Sequence, residues 1–280
     1  MNGYQIALIV LGSLLLLAGI CYLAMLWASA PGGRKCALEK YKRVKFAHRG
    51  LHGEGRAENS MSAFRAAKDA GFGIELDVRL SSDGELVVFH DPTLDRVCGV
   101  EGRVIDKTAE ELAALSLSGT EDGIPTFRDV LTLIDGAVPL LVEIKHDLGE
   151  GGVAEKLAEV IADYKGDYIV ESFNPLALRK MRELMPCVPR GILSMRYSEE
   201  PQYRGKLLYF LLENMLLNFL MRPDFIAYEK TGHANPVLRR IRRKRGTPLF
   251  AWTVRSEREE ADTVSDGFDS IIFEGYIPEK

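Results

Sequence analysis

The chain has 280 residues, which fits one (β/α) barrel or two smaller domains. Its net charge of −4 singles out no class of partner. Its four cysteines stand at scattered spacings that exclude a zinc pattern or a disulfide framework and fit a reducing compartment.

Residues 6–28, IALIVLGSLLLLAGICYLAMLWA, carry no charge and are long enough to span a bilayer. Ala28-Ser29-Ala30 resembles a signal-peptide cleavage site. However, no Lys or Arg precedes the apolar run, and the run is longer than a usual signal core. Ile20 between Gly19 and Cys21 argues against a lipoprotein signal. The expectation is an uncleaved anchor over 1–30. Residues 34–45, RKCALEKYKRVK, then hold six Lys or Arg, and the N-terminal flank holds none. That asymmetry predicts a basic juxtamembrane linker over 31–43 and a catalytic domain, 44–280, on the cytoplasmic side of the cell membrane.

Strand-like runs follow at 44–48, 73–78, 86–90, 138–145, 167–173, 190–195, 224–229, 248–254 and 270–274. Most alternate with helix-like stretches such as SMSAFRAAKDAG and NPLALRKMRELM, which implies a parallel sheet. Asp83-Gly84 predicts a two-residue hairpin turn between the second and third runs, with Val78 opposite Phe89 and Asp77 opposite His90. Eight strands then remain for an α/β fold, a (β/α)8 TIM barrel with a hairpin extension. Residues 91–137 show no clear barrel strand and read as an insertion. KLLYFLLENMLLNFLM, 206–221, fills the helix slot between the sixth and seventh barrel strands, with Lys206, Glu213, Asn214 and Asn218 as its clearly polar positions. A covering segment or a second copy could account for it; the reading adopted is a helix in the bilayer interface. The run Arg239 to Arg245 reads as a solvated helix face or an anionic-lipid contact, so no nucleic-acid partner is expected. Oligomeric state is not legible.

In such barrels the chemistry sits at the C-terminal ends of the strands. These ends carry His48-Arg49, Glu75 and Asp77, His90, Glu143 and Lys145, then Phe173, Trp252 and Glu274. Several carboxylates facing one cavity stay ionised together only with a cation, and hard oxygen ligands suit Mg²⁺ or Ca²⁺. Glu75, Asp77 and Glu143 are the natural ligands, with Glu58 as a fourth. Arg49 and Lys145 suit an anion with several oxygens, most simply a phosphate ester. His48 and His90 fit a general base and a general acid. With no paired Cys or Ser nucleophile, no G-x-G-x-x-G and no P-loop, hydride transfer and ATP hydrolysis fit poorly.

AHRGLHGEGRAENSMSAF and ELDVRLSSDGELVVFHDPTLDRVCG resemble the HRG…EN and ExD…HD…L.R motifs of the glycerophosphodiester phosphodiesterase family. GIPTFRDVL, LLVEIK, SFNPLALR and AWTVR match later blocks in the same order, so the resemblance covers about 44–275. It implies a TIM barrel and metal-dependent cleavage of glycerophosphodiesters to an alcohol and glycerol 3-phosphate. It implies His48 and His90 as the acid-base pair, Glu75, Asp77 and Glu143 as ligands, and Arg49 and Lys145 on phosphate. Phe173 and Trp252 would line the alcohol pocket. The resemblance also implies attack by the substrate's neighbouring glycerol hydroxyl, giving a cyclic phosphate that water opens. Arg56-Ala57 replaces the usual proline before Glu58, and Arg255 replaces an asparagine. Three alternatives share these features: a lysophospholipase D-like enzyme, a phospholipase C-like lyase, and a membrane-tethered binding pseudoenzyme. The HRG…EN and HD…L.R pattern disfavours the lyase, and the pseudoenzyme should have lost one of His48, His90, Glu75 or Asp77.

Overall fold

The structure, a computed structural model, describes residues 2–32, 35–145 and 151–279. Met1, Arg34 and Lys280, which fall in the expected anchor, linker and barrel, lie outside the described residues. The strands are β1 (Lys45–Ala47), β2 (Gly73–Leu80), β3 (Leu86–Val88), β4 (Leu140–Ile144), β5 (Tyr168–Ser172), β6 (Arg190–Ser194), β7 (Phe225–Glu229), β8 (Leu249–Val254) and β9 (Ser270–Phe273). Their order is β1-β9-β8-β7-β6-β5-β4-β2-β3, and β1 also pairs with β2, so the sheet closes. Every pairing is parallel except β2 with β3. This is the anticipated (β/α)8 barrel with one hairpin strand added.

Side-chain alternation sorts each strand between two cores. Phe46, Leu141, Ile169, Phe225, Phe250 and Ile272 fill the barrel interior. Ile74, Leu76, Val142, Val170 and Ala251 belong to the layer under the helices. Gly191 serves this packing, since a Cβ there would come within 2.2 Å of the Phe225 ring. The base of the barrel is closed by a 3₁₀ helix, Lys35–Tyr41. Its Leu38 and Tyr41 are buried in the interior cluster, and Tyr41 Oη donates to the Tyr168 carbonyl at 3.1 Å. Much of the expected linker is therefore the barrel's floor.

The helices are α1 (Gly3–Ala28), α2 (Met61–Asp69), α3 (Asp95–Cys98), α4 (Ala109–Ala113), α5 (Phe127–Ile134), α6 (Val153–Ile161), α7 (Pro175–Leu184), α8 (Leu207–Glu213), α9 (Asn218–Met221), α10 (Pro236–Arg245) and α11 (Glu257–Ser265). Ser60, Thr126, Asn174, Asn235 and Ser256 cap α2, α5, α7, α10 and α11 through side-chain oxygens that accept first-turn N–H groups. Pro175 and Pro236 open their helices, where the missing N–H costs nothing.

Three local expectations change. The hairpin pairs Val78 with Val88 and Leu80 with Leu86, one residue away from the expected register. Ser81 accounts for the shift: its Oγ accepts the Glu85 N–H at 3.0 Å and its carbonyl accepts the Gly84 N–H at 3.1 Å. The turn is thereby widened to three residues, with Gly84 left-handed at φ +78°. The segment 91–137 divides in two. Leu94, Val97, Val104, Leu112 and Ile124 form a separate cluster under β3, whereas α5 buries Phe127, Val130 and Ile134 in the main core as an ordinary barrel helix. Finally, 206–221 is two short helices, α8 and α9, broken where Met215 turns left-handed at φ +58°.

The end of α1 docks on α9 and the following turn. Trp27 stacks on Phe219 with ring centres 5.3 Å apart. Asn218 Nδ2 donates to the Ser29 carbonyl at 3.1 Å, and Arg222 Nη1 to those of Trp27 and Ala30 at 3.2 and 3.1 Å. Gly32 N–H donates to Pro223 O at 2.7 Å. Pro223 lies just before β7, so α1 joins the barrel at its base.

Candidate active site

Glu75 and Asp77 both point into the barrel because they are two residues apart on β2. Glu143 on β4 stands opposite Asp77 in the parallel register. One carboxylate oxygen from each of the three lies within 4.8 Å of the others, and all three groups are buried. Lys145 Nζ bridges two of them, 2.7 Å from Glu143 Oε1 and 3.0 Å from Asp77 Oδ1. Asn59 Nδ2 donates to Asp77 Oδ2 at 2.8 Å.

The loop after β1 completes this end of the cavity. Arg49 and Asn59 are left-handed, at φ +56° and +54°, and the Asn59 N–H donates to Arg49 O at 2.9 Å. Gly50 is left-handed at φ +81° and packs so closely on α2 that a Cβ would meet Ala63 at 2.9 Å. This compact turn aims the Arg49 N–H at Glu75 Oε2, 2.8 Å away. The Arg49 Nε lies 3.5 Å from Asp77 Oδ2. Gly53 and Arg56 exchange backbone hydrogen bonds of 3.0 and 3.1 Å, which close the loop where the proline is missing.

Burial and like charge work together on the acids. Burial, with Asp77 and Glu143 nearby, drives the Glu75 pKa well above the carboxylate range. Burial lifts Glu143 to about 6 even against the attraction of Lys145. Burial also opposes ionisation of Asp77, but Lys145, His90 and Arg49 outweigh it and hold that pKa below the ordinary range. Among the described residues, Arg49 and Lys145 are the side-chain cations adjoining these three buried acids, a charge balance that suits a divalent cation.

The two histidines are held alike. His48 Nδ1 lies 2.8 Å from Glu274 Oε2, and His90 Nδ1 lies 2.6 Å from Asp91 Oδ1. Burial lowers the pKa of both, that of His90 to about 4. In the neutral imidazole, each Nδ1–H is donated to its carboxylate, which leaves Nε2 as the basic atom. His48 Nε2 lies 4.0 Å from Glu75 Oε2, beside the carboxylate group. Phe173 and Trp252 meet edge to face, centroids 5.5 Å apart, at the ends of β5 and β8. The Arg255 guanidinium lies 3.4 Å from Glu274 Oε2, on the His48 side.

Glu58, anticipated as a fourth ligand, lies outside the three-carboxylate group. It accepts from Arg49 Nη1 at 2.8 Å and from Arg96 at 2.6 and 2.9 Å. Arg96 also donates to Asp91 Oδ2 at 2.6 Å, so Glu58 and Asp91 are fastened together behind Arg49 and His90. Residue reading passed over Glu171, which is buried on β5 directly opposite Glu143. Counting back two positions from Phe173 would have found it. The partnerships of Asn59, Arg96 and Glu274 had no local signal.

The glycerophosphoryl diester phosphodiesterase family matches residues 48–274. A glycerophosphodiester phosphodiesterase of Caldanaerobacter subterraneus subsp. tengcongensis is 33% identical over 245 residues, covering 82% of this chain and 93% of that protein. The crystal structure of the glycerophosphodiester phosphodiesterase of Thermotoga maritima superposes with a TM-score of 0.65 at 27% identity, covering 83% of this chain and 95% of that one. An Oleispira antarctica phosphodiesterase, solved with its product sn-glycerol-3-phosphate, shares the fold at a TM-score of 0.70 and 23% identity, covering 84% and 94%. The chain belongs to the glycerophosphoryl diester phosphodiesterase family and is a phosphoric diester hydrolase.

Proposed function

We propose that the chain is a membrane-anchored, divalent-metal-dependent enzyme that cleaves glycerophosphodiesters to an alcohol and glycerol 3-phosphate. The observation that carries this reading is the group of buried carboxylates, Glu75, Asp77 and Glu143, with two carboxylate-held histidines, His48 near Glu75 and His90 near Asp77. Asp77 Oδ1 lies 3.0 Å from the Lys145 ammonium and accepts no aligned hydrogen bond among the described residues, which fits a cation ligand. Glu75, Asp77 and Glu143 would hold Mg²⁺ or Ca²⁺, which when bound neutralises phosphoryl oxygens and lowers the pKa of an attacking hydroxyl.

The chain's own groups do the rest. Arg49 and Lys145 bind the phosphate oxygens and set the phosphorus between the two histidines. One histidine accepts the proton of the attacking hydroxyl at Nε2, and the other, protonated at Nε2 as an imidazolium when the anionic phosphate is bound beside it, donates that proton to the leaving alcohol oxygen. Glu274 and Asp91 hold the ring orientations and stabilise the imidazolium formed. Glu58 positions Arg49. Phe173 and Trp252 exclude water from the alcohol side.

The helix α1 supplies the anchor. Tyr4–Ala28 has the length and the mean hydropathy of 2.6 of a bilayer span, and none of its described side chains is buried. The contacts of Trp27, Ser29 and Ala30 with the barrel support retention of this segment over its removal as a signal. The flanking basic run supports a cytoplasmic barrel. A lysophospholipase D-like activity is the second reading, favoured by the exposed apolar residues of α8.

The deciding experiment incubates the purified full chain with glycerophosphocholine, with Mg²⁺, Ca²⁺ or excess chelator. Metal-dependent release of glycerol 3-phosphate is expected. Phosphocholine release would indicate phospholipase C-like cleavage instead. Turnover in excess chelator, with no metal bound, would remove the role given to the carboxylates.

A further inference from the structure

The structure shows an apolar face on the flank that carries α1. A helix on the outside of a barrel normally turns its polar side to water. On α8 the reverse holds: Leu207, Leu208 and Phe210 are 71%, 54% and 56% exposed, while Leu212 is buried against the barrel. Three large apolar side chains on one short helix form a patch that water covers poorly.

We infer that this face of α8, with the arginines of α10, rests on the surface of an anionic lipid bilayer. The inference builds on the reading of α1 as a membrane anchor. Two independent features identify the occupant. The first is continuity. α8 follows the mouth end of β6, and α9 leads to the base end of β7, so the pair spans the flank from mouth to base. The exit of α1 is tied to this flank through Trp27, Phe219 and Arg222. A bilayer that holds α1 lies beside α8.

The second feature is charge. α10, PVLRRIRRKR, has six basic residues and no acid, within a chain of net charge −4. Its Arg240 guanidinium stands 5.7 Å over the ring of Tyr22 in α1, so this basic helix abuts the same anchor. Arg239, Arg243, Lys244 and Arg245 are exposed. Apolar residues beside a basic helix are the pattern of attachment to anionic lipid. With α8 on the membrane as well as α1, the barrel lies on its flank and its mouth sits beside the lipid surface.

The test uses the full chain, its cysteines replaced by serine, reconstituted in nanodiscs of phosphatidylcholine and phosphatidylglycerol containing nitroxide-labelled lipid. An environment-sensitive fluorophore is attached through Leu208→Cys or, as the control, Arg65→Cys. Arg65 is exposed on α2, between β1 and β2, across the barrel from β6 and β7. Lipid quenching should be several-fold stronger at 208 than at 65. It should weaken without phosphatidylglycerol or with Arg239→Gln and Arg243→Gln. Equal quenching at both sites, with the chain still inserted, overturns the docking and leaves the anchor intact. Release of the chain from the nanodisc overturns both readings. Cross-linking between two 208 positions in detergent, with no lipid quenching in nanodiscs, assigns the face to a second copy and also overturns the inference.

Discussion

Glu171 on β5 stands directly opposite Glu143 on β4, and both carboxylates are buried inside the barrel. The Glu171 Oε2 has no hydrogen-bond partner among the described residues. Burial, then the nearby Glu75 and Glu143, drives its pKa well above the carboxylate range. A raised native pKa means that the native state binds the proton more tightly than the unfolded chain. This contribution to stability is complete below the unfolded pKa and is lost as pH rises through the native one. In chelator, Glu171→Gln should therefore raise Tm, and by more at pH 8 than at pH 5. A Tm difference that stays flat with pH, read by thermal melts, would contradict this account.

Metal binding should show the matching proton release. Glu143 is held at about 6 by burial, and Glu75 is raised further by burial and by Asp77 and Glu143. Both must be ionised to act as ligands, so Mg²⁺ or Ca²⁺ displaces protons. Apparent affinity should rise with pH below this range, by up to roughly tenfold per unit for each proton displaced. Titration calorimetry at pH 5.5 and 7.5, in buffers of different ionisation heat, measures both. Glu75→Ala should weaken binding at either pH; unchanged affinity would place the metal elsewhere.

His48→Ala and His90→Ala should each lower kcat by roughly 10²–10⁴ with the fold retained. Glu274→Gln keeps the shape but removes the charge that fixes the His48 ring, so a smaller fall in kcat with a displaced pH–rate profile is expected. Steady-state kinetics with circular dichroism separate these effects from unfolding. Near-normal turnover in both histidine variants would end the acid-base assignment.

The floor of the barrel makes a separate prediction. Leu38 is fully buried in the interior cluster, so Leu38→Ala should cost about 2–5 kcal/mol in stability. The specific activity of the folded fraction should persist, because the site lies at the other end of the strands. Urea unfolding followed by fluorescence checks this. A loss below about 1 kcal/mol would mean that the floor collapses around the missing methyls at little cost.

Much of the molecule was legible along the chain because its signals are local. Each apolar run marks a strand, and the residues ending those runs mark the mouth of the barrel. Alternation alone put Glu75 with Asp77 on one face, and the same rule applied to β5 yields Glu171. Apolar length and the absence of charge marked α1. Closure of the barrel decided the rest, since it brings together residues that no sequence spacing relates. It set Glu274 against His48 across 226 positions. It gave both oxygens of Glu58 to Arg49 and Arg96, partners that charge counting alone does not supply. It drew Leu38 and Tyr41 out of a seemingly free linker, because an open barrel end leaves apolar side chains in water. The hairpin register turned on a side chain: Asp83-Gly84 signals a tight turn, but Ser81 Oγ captures the Glu85 N–H and widens it. The break at Met215 likewise answers to tertiary packing, which buries Leu212, Met215, Asn218 and Met221 while leaving Leu207, Leu208 and Phe210 outside.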